Sequence, residues 1–252
     1  MVSENISFID YSNSIKIVLV GTTHPGNIGA AARAIKTMGL INLDLVCPKE
    51  FPSNEATYRS KAAKDILEKA SVYETLLESV SDCEMVIGTS ARNRKVPWPV
   101  LNPKNASIEI NTAVKNNSKV AIVFGREDRG LTNEELGLCN LHVHIPTAEE
   151  YSSLNLAQAV QIITYEIRMS FMGKENLENN QEWDVDFATS DQTERLIEHM
   201  DELMKEVEFY DTENPRKLLM RVRRFFKRSG IDVMEANIFR GLFSAIQKKL
   251  NK

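Results

Sequence analysis

Short apolar runs alternate with longer amphipathic stretches through the first two-thirds of the chain. Ile15–Val20 is a β-branched run that stops at Gly21. Residues 43–47, 85–87, Val120–Phe124 and 142–145 repeat the pattern, each giving way to a Gly-, Pro-, Asn- or Ser-rich stretch. Helical character lies between them. Residues 27–38 are Ala-rich and precede Gly39, residues 54–80 read as two helical pieces, residues 105–116 are weakly helical, and residues 154–171 form a long helix. Thr132-Asn133-Glu134-Glu135 has the S/T-x-x-E spacing of a capping box, which predicts a helix start at Thr132. Strands alternating with helices specify an α/β architecture with a mostly parallel sheet.

The pattern breaks after residue 172. Residues 173–191 have few aliphatic positions and no period, so they are assigned to an acidic linker between a domain of residues 1–172 and a helical extension of residues 192–252. Three helices are expected near or within that extension, over residues 193–209, 215–228 and 232–250. Charge sharpens the division. The net charge of −4 splits into −2 for residues 1–173, −11 for residues 174–213 and +9 for residues 214–252. An acidic connector and a basic tail on one chain point to different tasks.

Other features narrow the class. No apolar run approaches the ~20 residues of a membrane-spanning helix. The N-terminal MVSENISFIDYSNS has neither a basic nor a long apolar region, so no signal peptide is expected. Cys47, Cys83 and Cys139 are widely spaced without a CxxC, which argues for packing roles and a cytoplasmic location. His24, His142, His144 and His199 have no recognisable metal-binding spacing; His142 and His144, on one face of a short strand, are expected to be core or edge histidines, with a zinc pair as the alternative.

Three loops at strand ends carry the chemistry-bearing residues, where open α/β sheets place their ligand sites. In GTTHPGNIGAAAR (residues 21–33), Gly21 and Gly26 have P-loop spacing. Asn27 stands in the lysine position and Ile28 in the Ser/Thr position, which argues against a nucleoside triphosphate. What remains is a turn, Asn27 as a candidate helix cap, backbone N–H groups suited to phosphate, and Arg33. In GREDR (residues 125–129), Gly125 allows close backbone approach to a ligand and Glu127 is a candidate acceptor for a hydroxyl or amino group. In the third loop, Ser153 is a candidate helix cap and Asn155 a first-turn partner; without a GxSxG context Ser153 is no hydrolase nucleophile. In the tail, LLMRVRRFFKR (residues 218–228) sets Arg221, Arg224 and Arg228 at helical spacing, beside Arg223 and Lys227 and opposite Leu218, Val222, Phe225 and Phe226. Such a local basic excess predicts contact with nucleic-acid phosphates.

Taken together, NIGAAARA (residues 27–34), FGREDRGLTNEEL (residues 124–136) and IPTAEEYSSLNLAQAVQI (residues 145–162) resemble the three ordered motifs of the SpoU/TrmH branch of the SPOUT RNA methyltransferases. The tail, with NPRKLLMRVRRFFKRSGID (residues 214–232) and ANIFRGLFSAIQ (residues 236–247), is similar to the C-terminal extension of TrmJ-type tRNA 2′-O-methyltransferases. The resemblance implies a deep trefoil knot in the α/β fold, a homodimer, and S-adenosylmethionine as methyl donor without a metal. Carried over by motif, it implies cofactor contacts from Thr89, Ser90, Ala91, Gly125, Ile145, Ser153, Leu154 and Asn155, and catalytic roles for Arg33, Asn27, Glu127 and Ser153. It implies methylation of the ribose 2′-OH of nucleotide 32, C or U, in the tRNA anticodon loop. The alternatives on this fold are an rRNA 2′-O-methyltransferase and a non-catalytic RNA-binding protein. The basic tail favours tRNA.

Overall fold

The computed structural model describes residues 8–90, 100–148, 150, 153–172 and 184–250. Its strands are β1 (Ile15–Val20), β2 (Asn42–Val46), β3 (Ser71–Tyr73), β4 (Met85–Thr89), β5 (Val100–Leu101), β6 (Val120–Phe124) and β7 (Leu141–Val143). They form one sheet in the order β3-β2-β1-β6-β4-β7-β5, with every pairing parallel. The helices of the first part are α1 (Phe8–Asn13), α2 (Pro25–Thr37), α3 (Asn54–Ser60), α4 (Lys64–Glu68), α5 (Leu76–Val80), α6 (Pro103–Lys115), α7 (Asn133–Gly137) and α8 (Leu156–Met172). Those of the tail are α9 (Ser190–Glu206), α10 (Leu218–Ser229) and α11 (Val233–Leu250).

Side-chain alternation divides the core. Ile15, Ile17 and Leu19 join one apolar layer while Val18 and Val20 join the other, as a period of two requires. The first layer is covered by α2, α6 and α8, the second by α5 and α7. Both faces are thereby buried, the usual condition of a parallel sheet. The expected α/β class is observed. The two shortest strands are additions: β3 lies within residues read as helical, and β5 follows a loop read as having no period. No helix among the described residues is long and apolar enough to cross a membrane.

Helix α2 starts earlier than Asn27. Pro25 takes its first position, and the His24 Nδ1 caps it by accepting the Gly26 N–H at 3.1 Å. Asn27 therefore lies inside the first turn, and the expectation that it caps the helix is corrected. Farther along α2, a Cβ added to Gly29 would stand 2.2 Å from the Ala56 carbonyl oxygen. Glycine at this position lets α3 cross against α2.

In the tail, α9 begins inside the stretch assigned to the linker. Thr189 and Gln192 form a reciprocal capping box at its start. The preceding residues are tied to the far end of the tail: Ala188 N–H donates to the Ile231 carbonyl at 2.9 Å, and Val233 N–H to that of Asp186 at 3.0 Å. A third apolar cluster, including Leu196, Ile197, Phe226 and Phe243, joins the three tail helices. The Ser190 N–H donates to the Cys83 carbonyl at 2.8 Å, which docks the start of α9 against the end of α5.

Candidate active site

Three sequence-distant loops meet at one carboxylate. Glu127, three residues beyond β6, accepts the Thr23 N–H at 3.0 Å and the Thr23 hydroxyl at 2.9 Å through Oε2. Its Oε1 accepts the His24 N–H at 3.3 Å and the Asn27 side-chain amide at 2.8 Å. An ionised carboxylate can only accept, so Asn27 turns its NH₂ toward Glu127 and leaves its carbonyl free. That carbonyl accepts the Asn155 side-chain amide at 3.0 Å. Asn155 in turn caps α8, its Oδ1 accepting the Ala157 N–H at 2.9 Å. The cap expected of Ser153 thus belongs to Asn155. Partial burial pushes the Glu127 pKa up, but hydrogen bonds from Asn27 and Thr23 outweigh it and hold the carboxyl below its ordinary 4.5. The hydroxyl that Glu127 accepts is that of Thr23, and the side-chain nitrogen donor on its other oxygen is the Asn27 amide.

Beside this junction lies a cleft of about 220 Å³. Thr89, Ser90, Gly125, Ile145, Ser153 and Leu154, all singled out in the sequence, line it, together with Phe124, Arg126–Leu131, Val143, Leu156 and Ala159. Ala91 lies outside the described residues. Asn155 stands at the junction rather than in the lining. Gly125 is required by the chain itself: an added Cβ would lie 2.1 Å from the Gly130 carbonyl carbon and 2.2 Å from the Leu131 nitrogen. The close approach expected between Gly125 and a ligand is therefore already made by the returning loop. That loop is held by two bonds between Arg126 and Gly130 and by the Arg126 guanidinium, whose Nη1 is 3.0 Å from both oxygens of Glu135. Glu135 also completes the capping box of α7, as its spacing from Thr132 predicted. The Arg126–Glu135 pair escaped the sequence reading because nothing in the spacing pairs an arginine with a cap nine residues on.

Arg33 is exposed on α2, roughly two turns beyond Asn27, and makes no hydrogen bond or ion pair with a described residue. It is a guanidinium with its donors available. Ser153 is also exposed at the cleft rim. The two strand histidines separate: the His142 Nε2 lies 3.3 Å from the Leu136 carbonyl, and the His144 Nδ1, past the end of β7, lies 3.0 Å from that of Ser90.

On α10, Arg221 and Arg228 are exposed and Arg224 is half-buried. The expected inward face needs correction. Val222 and Phe226 join the tail core, but Phe225 is 53% exposed. The buried sector is rotated toward Arg223 and Lys227 because Glu194 of α9 faces them. Glu194 takes the Arg223 Nε at 3.0 Å and stands 3.4 Å from the Lys227 Nζ, itself buried and bonded to the Ser190 hydroxyl at 2.8 Å. Lys227 is thus a core residue, not part of the basic surface.

Known proteins align with both parts of this architecture. Residues 14–165 match the profile described as the SpoU rRNA Methylase family, and residues 191–252 that of the tRNA methyltransferase TrmJ, C-terminal domain. The tRNA (cytidine/uridine/adenosine-2′-O-)-methyltransferase TrmJ of Pseudomonas aeruginosa (strain UCBPP-PA14) is 46% identical over 241 residues, 93% of this chain and 94% of that protein. The tRNA (cytidine/uridine-2′-O-)-methyltransferase TrmJ of Escherichia coli O6:K15:H31 is 42% identical, covering 94% and 96%. Among solved structures, TrmJ from Z. mobilis ZM4 superposes with a TM-score of 0.80 at 29% identity, covering 92% of this chain and 98% of that one.

Proposed function

Because this chain belongs to the SpoU rRNA Methylase family, with the TrmJ C-terminal domain behind it, we propose that it methylates the ribose 2′-OH of nucleotide 32, C or U, in the tRNA anticodon loop. S-adenosylmethionine supplies an electrophilic methyl group when bound. The cleft suits that ligand. Phe124, Leu131, Val143, Ile145 and Leu156 offer apolar surface, while Gly125 and Gly130 offer only backbone. Thr89, Ser90, Ala91, Ser153, Leu154 and Asn155 complete the proposed set. The observation that carries the reading is the Asn155–Asn27–Glu127 bridge, which fastens all three family motifs at the edge of one cleft.

The rest follows from the chain's own groups. Asn27 and Glu127 fix the start of α2 and thereby position Arg33. A guanidinium stays protonated at any working pH, so Arg33 acts as a clamp on a substrate phosphate and stabilises the developing alkoxide rather than serving as base. Ser153, at the rim, orients the ribose, and its hydroxyl or a substrate phosphate relays the 2′-OH proton to solvent as the oxygen takes the methyl group from the sulfonium. No metal enters this scheme. Arg221, Arg224 and Arg228 of α10 bind tRNA phosphates away from the cleft. The enzyme works in the cytoplasm as a homodimer with the family's trefoil knot. Tyr165, Met169 and Met172, exposed along one side of α8, supply an apolar face for the dimer.

The test is methyl transfer to unmodified tRNA, with the product mapped by mass spectrometry. Arg33→Ala should abolish transfer while affinity for S-adenosylhomocysteine stays within about tenfold, ~1.4 kcal/mol. Arg33→Lys should also be badly impaired, since it loses the bidentate fork. Label appearing on a base, or full activity in Arg33→Lys, would overturn the scheme.

A further inference from the structure

A second basic surface lies beside α2, far in sequence from the tail. Helix α3 runs along the part of α2 that leads to Arg33. A Cβ on Gly26 would meet Glu55, and one on Gly29 would meet Ala56 and Arg59. The outer side of α3 and the 3₁₀ turn after it, Lys61–Ala63, form a shallow groove lined by Asn54, Thr57, Tyr58, Lys61 and Lys64. None of these residues is acidic. The neighbouring carboxylates are engaged elsewhere: Glu55 lies 4.0 Å from Arg59 and 3.9 Å from His24, and Asp65 pairs with Lys36 at 2.6 Å. Lys61 and Lys64 form no ion pair among the described residues.

Two details make this more than a solvated face. Tyr58 is 69% exposed, the highest exposure among the large hydrophobic side chains of the described residues, and the Lys61 ammonium sits 3.9 Å from its ring centroid. Lys61 reaches it from a backbone with φ +52°, a region that a lysine rarely adopts. Unusual backbone conformations of this kind concentrate at functional positions. An exposed ring with one ammonium over a face and a second lysine beside it suits single-stranded nucleic acid, with a base stacking on the ring and phosphates meeting the cations.

We propose that the Tyr58 groove receives the unpaired RNA strand flanking the methylated nucleotide, with a base stacked on Tyr58 and adjoining phosphates on Lys61 and Lys64. The inference deepens the tRNA reading and rests on it. Its place beside α2 suits it to holding the strand that enters the Arg33 site, while α10 grips a separate part of the same tRNA.

Affinity for unmodified tRNA, measured at several salt concentrations beside methyl-transfer kinetics, tests this. Tyr58→Leu should raise Kd and KM for tRNA about tenfold, with a smaller change in kcat, whereas Tyr58→Phe should retain the parental values. The Lys61→Gln/Lys64→Gln double variant should flatten the dependence of log affinity on log salt by up to about one unit per lost phosphate contact. Melting temperature and S-adenosylhomocysteine affinity should stay parental throughout. Parental tRNA affinity in Tyr58→Leu, or a change in oligomeric state with an unchanged salt slope in the double variant, would overturn the proposal. If the parent transfers no methyl group to any tRNA, the functional reading fails, and the RNA affinities still decide the groove.

Discussion

At Glu127, two oxygens meet four donors drawn from Thr23, His24 and Asn27. Glu127→Gln keeps the shape but exchanges one acceptor for an NH₂ that faces other donors. Methyl transfer should fall at least tenfold, about the effect of slightly misplacing a reacting group, with cofactor affinity less affected. The pH dependence has a definite sign. The folded pKa lies below the ordinary 4.5. The stabilisation is therefore complete above about pH 4.5 and is lost as pH falls through the folded value. Acid titration followed by circular dichroism should show the parent's advantage over Glu127→Gln shrinking in that range. Gly125 makes a separate prediction. Its missing Cβ faces backbone, which cannot swing aside. Gly125→Ala should cost about 1–3 kcal/mol in urea unfolding and distort the cleft. A neutral result would mean that the Gly130 turn moves freely.

Among elements, the seam between the sheet and the tail is held by polar groups. Asn140 accepts the Val86 N–H of β4 at 2.7 Å and donates to the Lys227 carbonyl of α10 at 2.9 Å. Glu194 then holds Lys227 and Arg223 from α9. Glu194→Leu leaves a buried ammonium without its carboxylate, so it should cost about 3–5 kcal/mol by thermal or urea unfolding. Lys227→Met leaves Glu194 paired with Arg223 and should cost less. The reverse order would show that the lysine, not the acid, anchors the seam. This seam was hidden in the sequence because α10 reads as uniformly basic, and only the position of Glu194 tells which cations turn inward. β3 and β5 were hidden for another reason: three and two residues cannot display a period, and their neighbours decide that they are strands. Longer patterns were legible. Ile15–Val20 and Val120–Phe124 appear at their expected bounds, and Thr132 caps α7 with Glu135. The loop residues of the cleft were named from motifs; the bonds that join Asn27 to Glu127 and Asn155 span at least 100 positions and needed the fold.

Across the whole molecule, the acidic average conceals two cationic surfaces, one on α10 and one beside α2. Replacing Arg221, Arg224 and Arg228 by Gln should weaken tRNA binding and flatten its salt dependence by at most about one unit per lost contact, while S-adenosylhomocysteine binding stays unchanged. If light scattering instead finds the variant monomeric with an unaltered salt slope, α10 serves assembly. The strand order has a consequence of its own for how the chain emerges from the ribosome. β4 pairs only with β6 and β7, both made after it. β1 likewise waits for β6 on one side. Until residues 120–124 have left the exit tunnel, the nascent sheet lacks its middle, and the apolar edges of β1 and β4 face water or a chaperone. A stalled chain ending before β6 should therefore be protease-sensitive around β4, and resistance there should appear once β6 and β7 are released.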